Sequence, residues 1–197
     1  MAIQITNGTT AYNASVGGVL IRSGASTTDC SLIDIQMDDA ITRGYRHLII
    51  ELSSISVSQG SPLNMMGLSA ASTEVDSGYY AGVTAWGEGS SDISTNSVTL
   101  SAESSFKLMG TQTSHDLTEY NGFFTIHVHF SSYSNKNPSV YWDGTMRLGT
   151  SKASRILGGG VNNQTSIDYG IRIATTGGNN ILNYEYALFG RKIGGTA

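Results

Sequence analysis

A chain of 197 residues is long enough to bury one substantial core, and no break in composition calls for a second. Charged residues make up 13%, against about a quarter in an average globular chain, and Ser, Thr, Asn and 24 Gly fill the difference. Eleven basic and fifteen acidic residues give a net charge of -4, with no run of Lys or Arg to track phosphates, so nucleic-acid binding is not expected.

No apolar stretch approaches the length of a membrane span, and the opening Met-Ala-Ile-Gln-Ile-Thr lacks the basic and apolar regions of a signal peptide. The expectation is a soluble protein made in a cytoplasm, with no membrane partner. Cys30 is the sole cysteine, which excludes a disulfide framework or a thiolate metal cage within one chain. No His or Lys lies near it in sequence to lower its pKa, so it reads as a packed thiol.

Residues 1 to 44 carry small, polar, turn-prone stretches, Thr9 to Ser15 and Ser23 to Asp29, around the short apolar islands Val19-Leu-Ile and Ser31-Leu-Ile-Asp-Ile. They read as an N-terminal arm with little core of its own, ordered against the main domain or a neighbouring chain. The sequons at Asn7 and Asn13 carry no weight without a secretory signal. Residues 45 to 197 read as the main domain.

From Tyr45 the pattern sharpens. Leu48, Ile50 and Leu52 alternate with Ile49 and Glu51, predicting a well-buried strand that Ser53 to Ser58 continues. Met65, Met66 and Leu68 suit the edge of a core. Tyr79 to Trp86 alternates large rings with small residues, and Ser97 to Leu100 and Ser105 to Met109 are short alternating segments.

Tyr120 to Phe130 is the most regular run. It places Phe124, Ile126, Val128 and Phe130 on one face and Phe123, Thr125, His127 and His129 on the other, as a central, half-buried strand would. Further on, Asp143-Gly144 between two alternating runs is the strongest hairpin signal in the chain, and Gly158-Gly-Gly reads as a flexible crossing. Ile167, Tyr169, Ile171 and Ile173 share a face, and after the turn at Gly177-Gly-Asn-Asn a final strand presents Leu182, Tyr184, Tyr186 and Leu188 together. No helical period lasts three turns; Asp38 to Arg43 has room for one. Eight to ten short strands with turns between them predict an all-β, antiparallel β-sandwich of jelly-roll type.

Chemistry is sparse. A His-x-His pair on a jelly-roll strand can supply two metal ligands, completed by a Glu a few residues on and a His from a later strand. Here Ser131 to Lys136 holds no Glu and no His follows His129, while His47 and His115 both precede the pair. No metal or other cofactor is therefore expected, and His127 and His129 read as a packed or inter-subunit polar face. The carboxylates, Asp76, Glu88, Asp92, Asp116, Glu119, Asp143, Asp168 and Glu185 among them, are scattered and suit turn capping better than a paired acid and base. No nucleophile elbow, phosphate loop or dinucleotide fingerprint is present. Among the aromatic residues, Tyr141 and Trp142, with Tyr133 and Trp86, are candidates for contact with a glycan or at an interface.

Tyr45-Arg-His-Leu-Ile-Ile, the Gly- and Ser-rich strands after it, and the closing Ile171-Arg-Ile, Gly178-Asn-Asn-Ile and Tyr186-Ala-Leu-Phe-Gly-Arg-Lys resemble small virion structural proteins of tailed bacteriophages. In those proteins a similar opening strand begins a β-sandwich and an alternating strand ending in Leu-Tyr-Gly or Leu-Phe-Gly closes it. The resemblance runs from about Tyr45 to Gly190. It implies a non-enzymatic part of a phage particle, either a head decoration (cement) protein or a tail-fibre or tail-tip component. The implied protein is a homo-oligomer, often a trimer, located in the virion, with the major capsid protein, tail proteins or a host-surface glycan as partner. It carries over no catalytic residue. The absence of a repetitive shaft or coiled coil favours decoration over a fibre.

Overall fold

The computed structural model describes residues 18–42, 44–58, 62–71, 73–88, 93–108, 122–130, 138–148, 152–163, 167, 169–175 and 180–192. Among these described residues, thirteen strands and one single-turn helix follow in chain order: β1 Val19–Ser26, β2 Leu32–Gln36, α1 Asp38–Thr42, β3 His47–Val57, β4 Leu63–Ala70, β5 Thr73–Val75 and β6 Tyr79–Glu88. Then come β7 Ile93–Glu103, β8 Phe106–Lys107, β9 Gly122–His129, β10 Ser139–Leu148, β11 Lys152–Asn162, β12 Gly170–Thr175 and β13 Ile181–Arg191.

All strand pairs are antiparallel. Eight strands form one sheet in the order β1-β13-β3-β9-β10-β11-β6-β7, and β2-β12-β4-β5 form a second, with β8 also paired to β4. This is the all-β sandwich that the alternation predicts. The large sheet runs β9, β10 and β11 as consecutive neighbours, and the strand order by itself does not establish jelly-roll connectivity, two Greek keys over eight strands.

One apolar core fills the space between the sheets. Ile33 and Ile35 of β2, Leu63 and Met65 of β4 and Ile171 and Ile173 of β12 meet Leu48, Ile50 and Leu52 of β3 and Phe124, Ile126 and Val128 of β9. The predicted inner face of β9 is thus buried, and the strand lies fourth in the large sheet, between β3 and β10. Tyr79 bridges the layers: it accepts from Gly67 N–H at 2.8 Å and donates to Val75 O at 2.6 Å, while its ring meets Phe106 edge-on.

In β3 the alternation survives an insertion. Pairing with β9 jumps from Leu52–Phe124 to Ile55–Gly122, so one extra residue bulges out. Ser54 takes up the strain with a φ of 53°, and Leu52, Ile55 and Val57 all remain buried.

In residues 18–42 the short strands expected of the arm are ordered against the rest of the chain: β1 extends the large sheet against β13, β2 extends the small one against β12, and Ile33, Ile35 and Met37 join the core. Residues 1–17 lie outside the described residues. Two other expectations are corrected. Asp143-Gly144 is not a turn but the middle of β10, paired with Thr125 and Phe124 on one side and Leu157 and Ile156 on the other. The ring of Phe124 occupies the space where a side chain at 144 would begin, which is why a glycine stands inside a strand. Gly158-Gly-Gly is likewise the middle of β11. The indole of Trp142 fills the place of a Cβ at 158, and the backbone oxygen of Tyr80 and the ring of Phe106 crowd the place of one at 160. The turn expected at Gly177 lies outside the described residues.

Candidate functional site

Strand alternation that sends Phe124, Ile126, Val128, Val140, Trp142 and Met146 inward sends a second set outward across the large sheet. Tyr80, Phe123, Tyr141, Leu157 and Val161 all stand on this outer face, each between 36% and 46% exposed. They account for most of the exposed large apolar side chains among the described residues. Cross-strand register places Leu157 opposite Asp143, Val161 opposite Ser139 and Tyr80, and Tyr141 between His127 and Gly159. Next to Gly159 comes Gly82, where nothing lies within 4 Å of a would-be Cβ, so the sheet is bare beside the Tyr141 ring. Beside these side chains Asp143 is paired with Arg155 at 2.9 Å, and Glu51, Glu185 and Arg191 take outward positions further across the sheet.

At one end of the face three imidazoles meet. His47 is the first residue of β3 and lies directly opposite His129 of β9, while His127 is two residues back on β9, beside Ile49. His47 is 6% exposed and the other two are half-buried. The ring centroids of His47 and His129 are 3.9 Å apart and nearly parallel. His47 Nε2 and His127 Nδ1 are 2.9 Å apart, a hydrogen bond in which one nitrogen donates and the other accepts. Tyr141 closes the group by stacking on His127 at 4.2 Å with 8° between the planes.

Burial pushes all three imidazoles below their ordinary pKa, His47 down to about 4. For His47 and His127 the neighbouring imidazoles and Arg191 add to that effect, since each further positive charge nearby opposes protonation. A neutral imidazole has one unprotonated nitrogen, and in the His47–His127 pair that of the accepting ring is engaged by the other ring's N–H.

The structure divides the aromatic candidates. Tyr141 is exposed on the outer face. Trp142 is not a contact residue: one step along the strand it points inward, 1% exposed, with its Nε1–H donating to Leu108 O at 3.0 Å. Tyr133 and the side chain of Trp86 lie outside the described residues. His127 and His129 are on the outward face as expected, and His47 joins them. Its phase was readable, because Leu48, Ile50 and Leu52 facing in leave His47 facing out. The β3–β9 pairing that brings it to His129 has no local signal.

Elsewhere, Cys30 is half-buried beside Ile181 and burial raises its pKa, as befits a packed thiol. A shallow recess of about 400 Å³ lies between β1 and β13, lined by Thr27, Thr28, Ser54, Asn183 and Glu185 among others. Asp92, Asp116, Glu119 and Asp168 lie outside the described residues. Comparison with protein-family models, with characterised proteins and with solved structures found no match for this chain.

Proposed function

We propose that this protein is a non-enzymatic structural component of a bacteriophage virion, a head decoration (cement) protein that stabilises the capsid. The observation that carries the reading is the outer face of the eight-stranded sheet, where Tyr80, Phe123, Tyr141, Leu157 and Val161 stand exposed on one surface levelled by Gly82 and Gly159. Scattered exposed apolar residues are ordinary, whereas a set gathered on one rigid face is what a subunit interface needs. The Tyr45 to Gly190 resemblance points to the same class. In this reading the broad face binds the major capsid protein or another copy of the chain, with a trimer as the favoured assembly, and the protein resides in the virion after synthesis in the host cytoplasm. Particles assembled without the protein should lose resistance to heat and to internal pressure. Undiminished resistance would remove the cement role.

A second reading rests on Tyr141. Its exposed ring, backed by His127 and flanked by the bare backbone of Gly159 and Gly82, is a platform on which a sugar ring can stack. That would suit a tail-fibre or tail-tip component binding a host-surface glycan. Tyr141→Ala should abolish adhesion of the purified protein to host cells while leaving particle stability intact; adhesion that survives the change rules this reading out.

A further inference from the structure

We propose that His47, His127 and His129 form a binding site for one divalent transition-metal cation of borderline softness, such as zinc, cobalt or nickel, on the outer face of the large sheet. The inference goes beyond a structural role in a virion and does not depend on it.

The donor set is the first support. One ligand nitrogen from each of the three lies within 4.8 Å of the others. Three imidazoles bound to one tetrahedral ion at about 2.0–2.1 Å stand about 3.3 Å from one another. His47 Nε2 and His127 Nδ1, at 2.9 Å, need to open by a few tenths of an ångström, one of the two rings must pass to its other tautomer so that neither nitrogen carries the shared proton, and the 4.8 Å spread of the set has to close by about 1.5 Å. Imidazole nitrogen is a preferred ligand for these metals, and three such ligands leave a fourth position for water or an anion.

The scaffold is the second. His47 and His129 are a direct cross-strand pair and His127 the diagonal neighbour, so their Cβ atoms are fixed by two adjoining strands in the interior of the sheet. Below them Leu48, Ile126 and Val128 are fully buried, which holds the backbone in place. In the stacked arrangement the lone pairs of His47 and His129 lie in nearly parallel planes, so convergence on one ion requires at least one ring to turn about χ2. That torsion has a broad, shallow profile in histidine. Tyr141, lying flat on His127, limits how far that ring can swing.

Electrostatics decides what completes the shell. Imidazole ligands contribute no negative charge, and Arg191, opposite His47 on β13, adds positive charge nearby. A bound dication therefore favours an anionic fourth ligand, such as hydroxide or chloride, over a neutral one.

The test uses the untagged full chain, stripped with chelator and titrated with Co²⁺ and then Zn²⁺ at neutral pH. The expected result is one equivalent of Co²⁺ per chain with the intense visible absorption of a four-coordinate ion, displacement by Zn²⁺, and a rise in melting temperature on loading. His127→Gln and His129→Gln, both at half-buried outward positions, should each weaken binding by about tenfold or more while their circular dichroism stays that of the parent. Failure of the parent chain to bind either ion more tightly than about millimolar would overturn the proposal. Equal binding by the folded double variant would do the same.

Discussion

The indole of Trp142 lies across Gly158 in the neighbouring strand, occupying the space in which any other residue at 158 would place its Cβ. Ring and glycine are directly opposite in the β10–β11 register, so neither can shift without the other. Phe124 and Gly144 repeat the arrangement between β9 and β10.

Gly158→Ala and Gly144→Ala should each destabilise the fold by about 2–3 kcal/mol, since a methyl group there must displace a packed ring. Gly82→Ala, at a site with open space, should change stability by less than about 0.5 kcal/mol. Chemical denaturation of the three variants checks this, and equal costs at all three sites would contradict the packing described.

Tyr79 gives an alkaline limit. Burial raises its phenol to about 12, with Asp76 and Glu74 adding to the rise against the hydrogen bond from Gly67 N–H. Its unfolded value is about 10, so the folded state favours the protonated form. The resulting stability is complete below pH 10 and is lost as pH climbs from there through 12, by at most about 2–3 kcal/mol. Tyr79→Phe should lower stability at neutral pH by about 1–2 kcal/mol, through the unpaired Gly67 N–H and Val75 O, and should flatten the decline between pH 10 and 12. Denaturation midpoints across that range measure both effects.

On the outer side of the small sheet Arg172, 7% exposed, binds Asp34 through two hydrogen bonds of 2.7 Å and Glu74 through a third. It thereby ties β2 and β5 to β12. Arg172→Lys cannot reproduce the planar fork, and both Arg172→Lys and Arg172→Ala should cost stability, by about 1–3 kcal/mol for the alanine, because the carboxylates left behind are partly solvated. A lysine variant as stable as the parent would show that charge alone suffices.

At the proposed interface, Tyr141→Asp combined with Leu157→Lys, which sets a cation opposite Asp143, should keep the fold with a modest drop in melting temperature from the lost stacking of Tyr141 on His127. The same change should abolish attachment to particles and reduce self-association in sedimentation experiments. If attachment persists, another surface makes the contact.

Much of the sandwich was legible because burial imposes a period of two on the chain. Phe124, Ile126 and Val128, like Leu48, Ile50 and Leu52, announce their face from neighbours in sequence alone. Asp143-Gly144 and Gly158-Gly-Gly misled for the opposite reason: a glycine that admits a ring from the next strand is locally identical to a glycine that makes a turn. The strands in residues 18–42 were underrated because β1 and β2 borrow most of their partners from β13 and β12, far along the chain. Of the candidate site, the outward phase of His127, His129 and Tyr141 was readable. The approach of His47 was not, because cross-strand pairing over some eighty residues leaves no periodic trace.

The glycine triplet of β11 has a consequence for how the sequence can drift. Gly158 and Gly160 face crowded space while Gly159, between them, meets only ordinary contacts from Tyr141 and Val140. Substitutions should therefore be tolerated in alternation through three identical letters: forbidden, permitted, forbidden. A library covering this stretch would register the pleat of the sheet directly, and the permitted middle position is the one that faces outward beside Tyr141, where variation reshapes the proposed contact surface without disturbing the core beneath it.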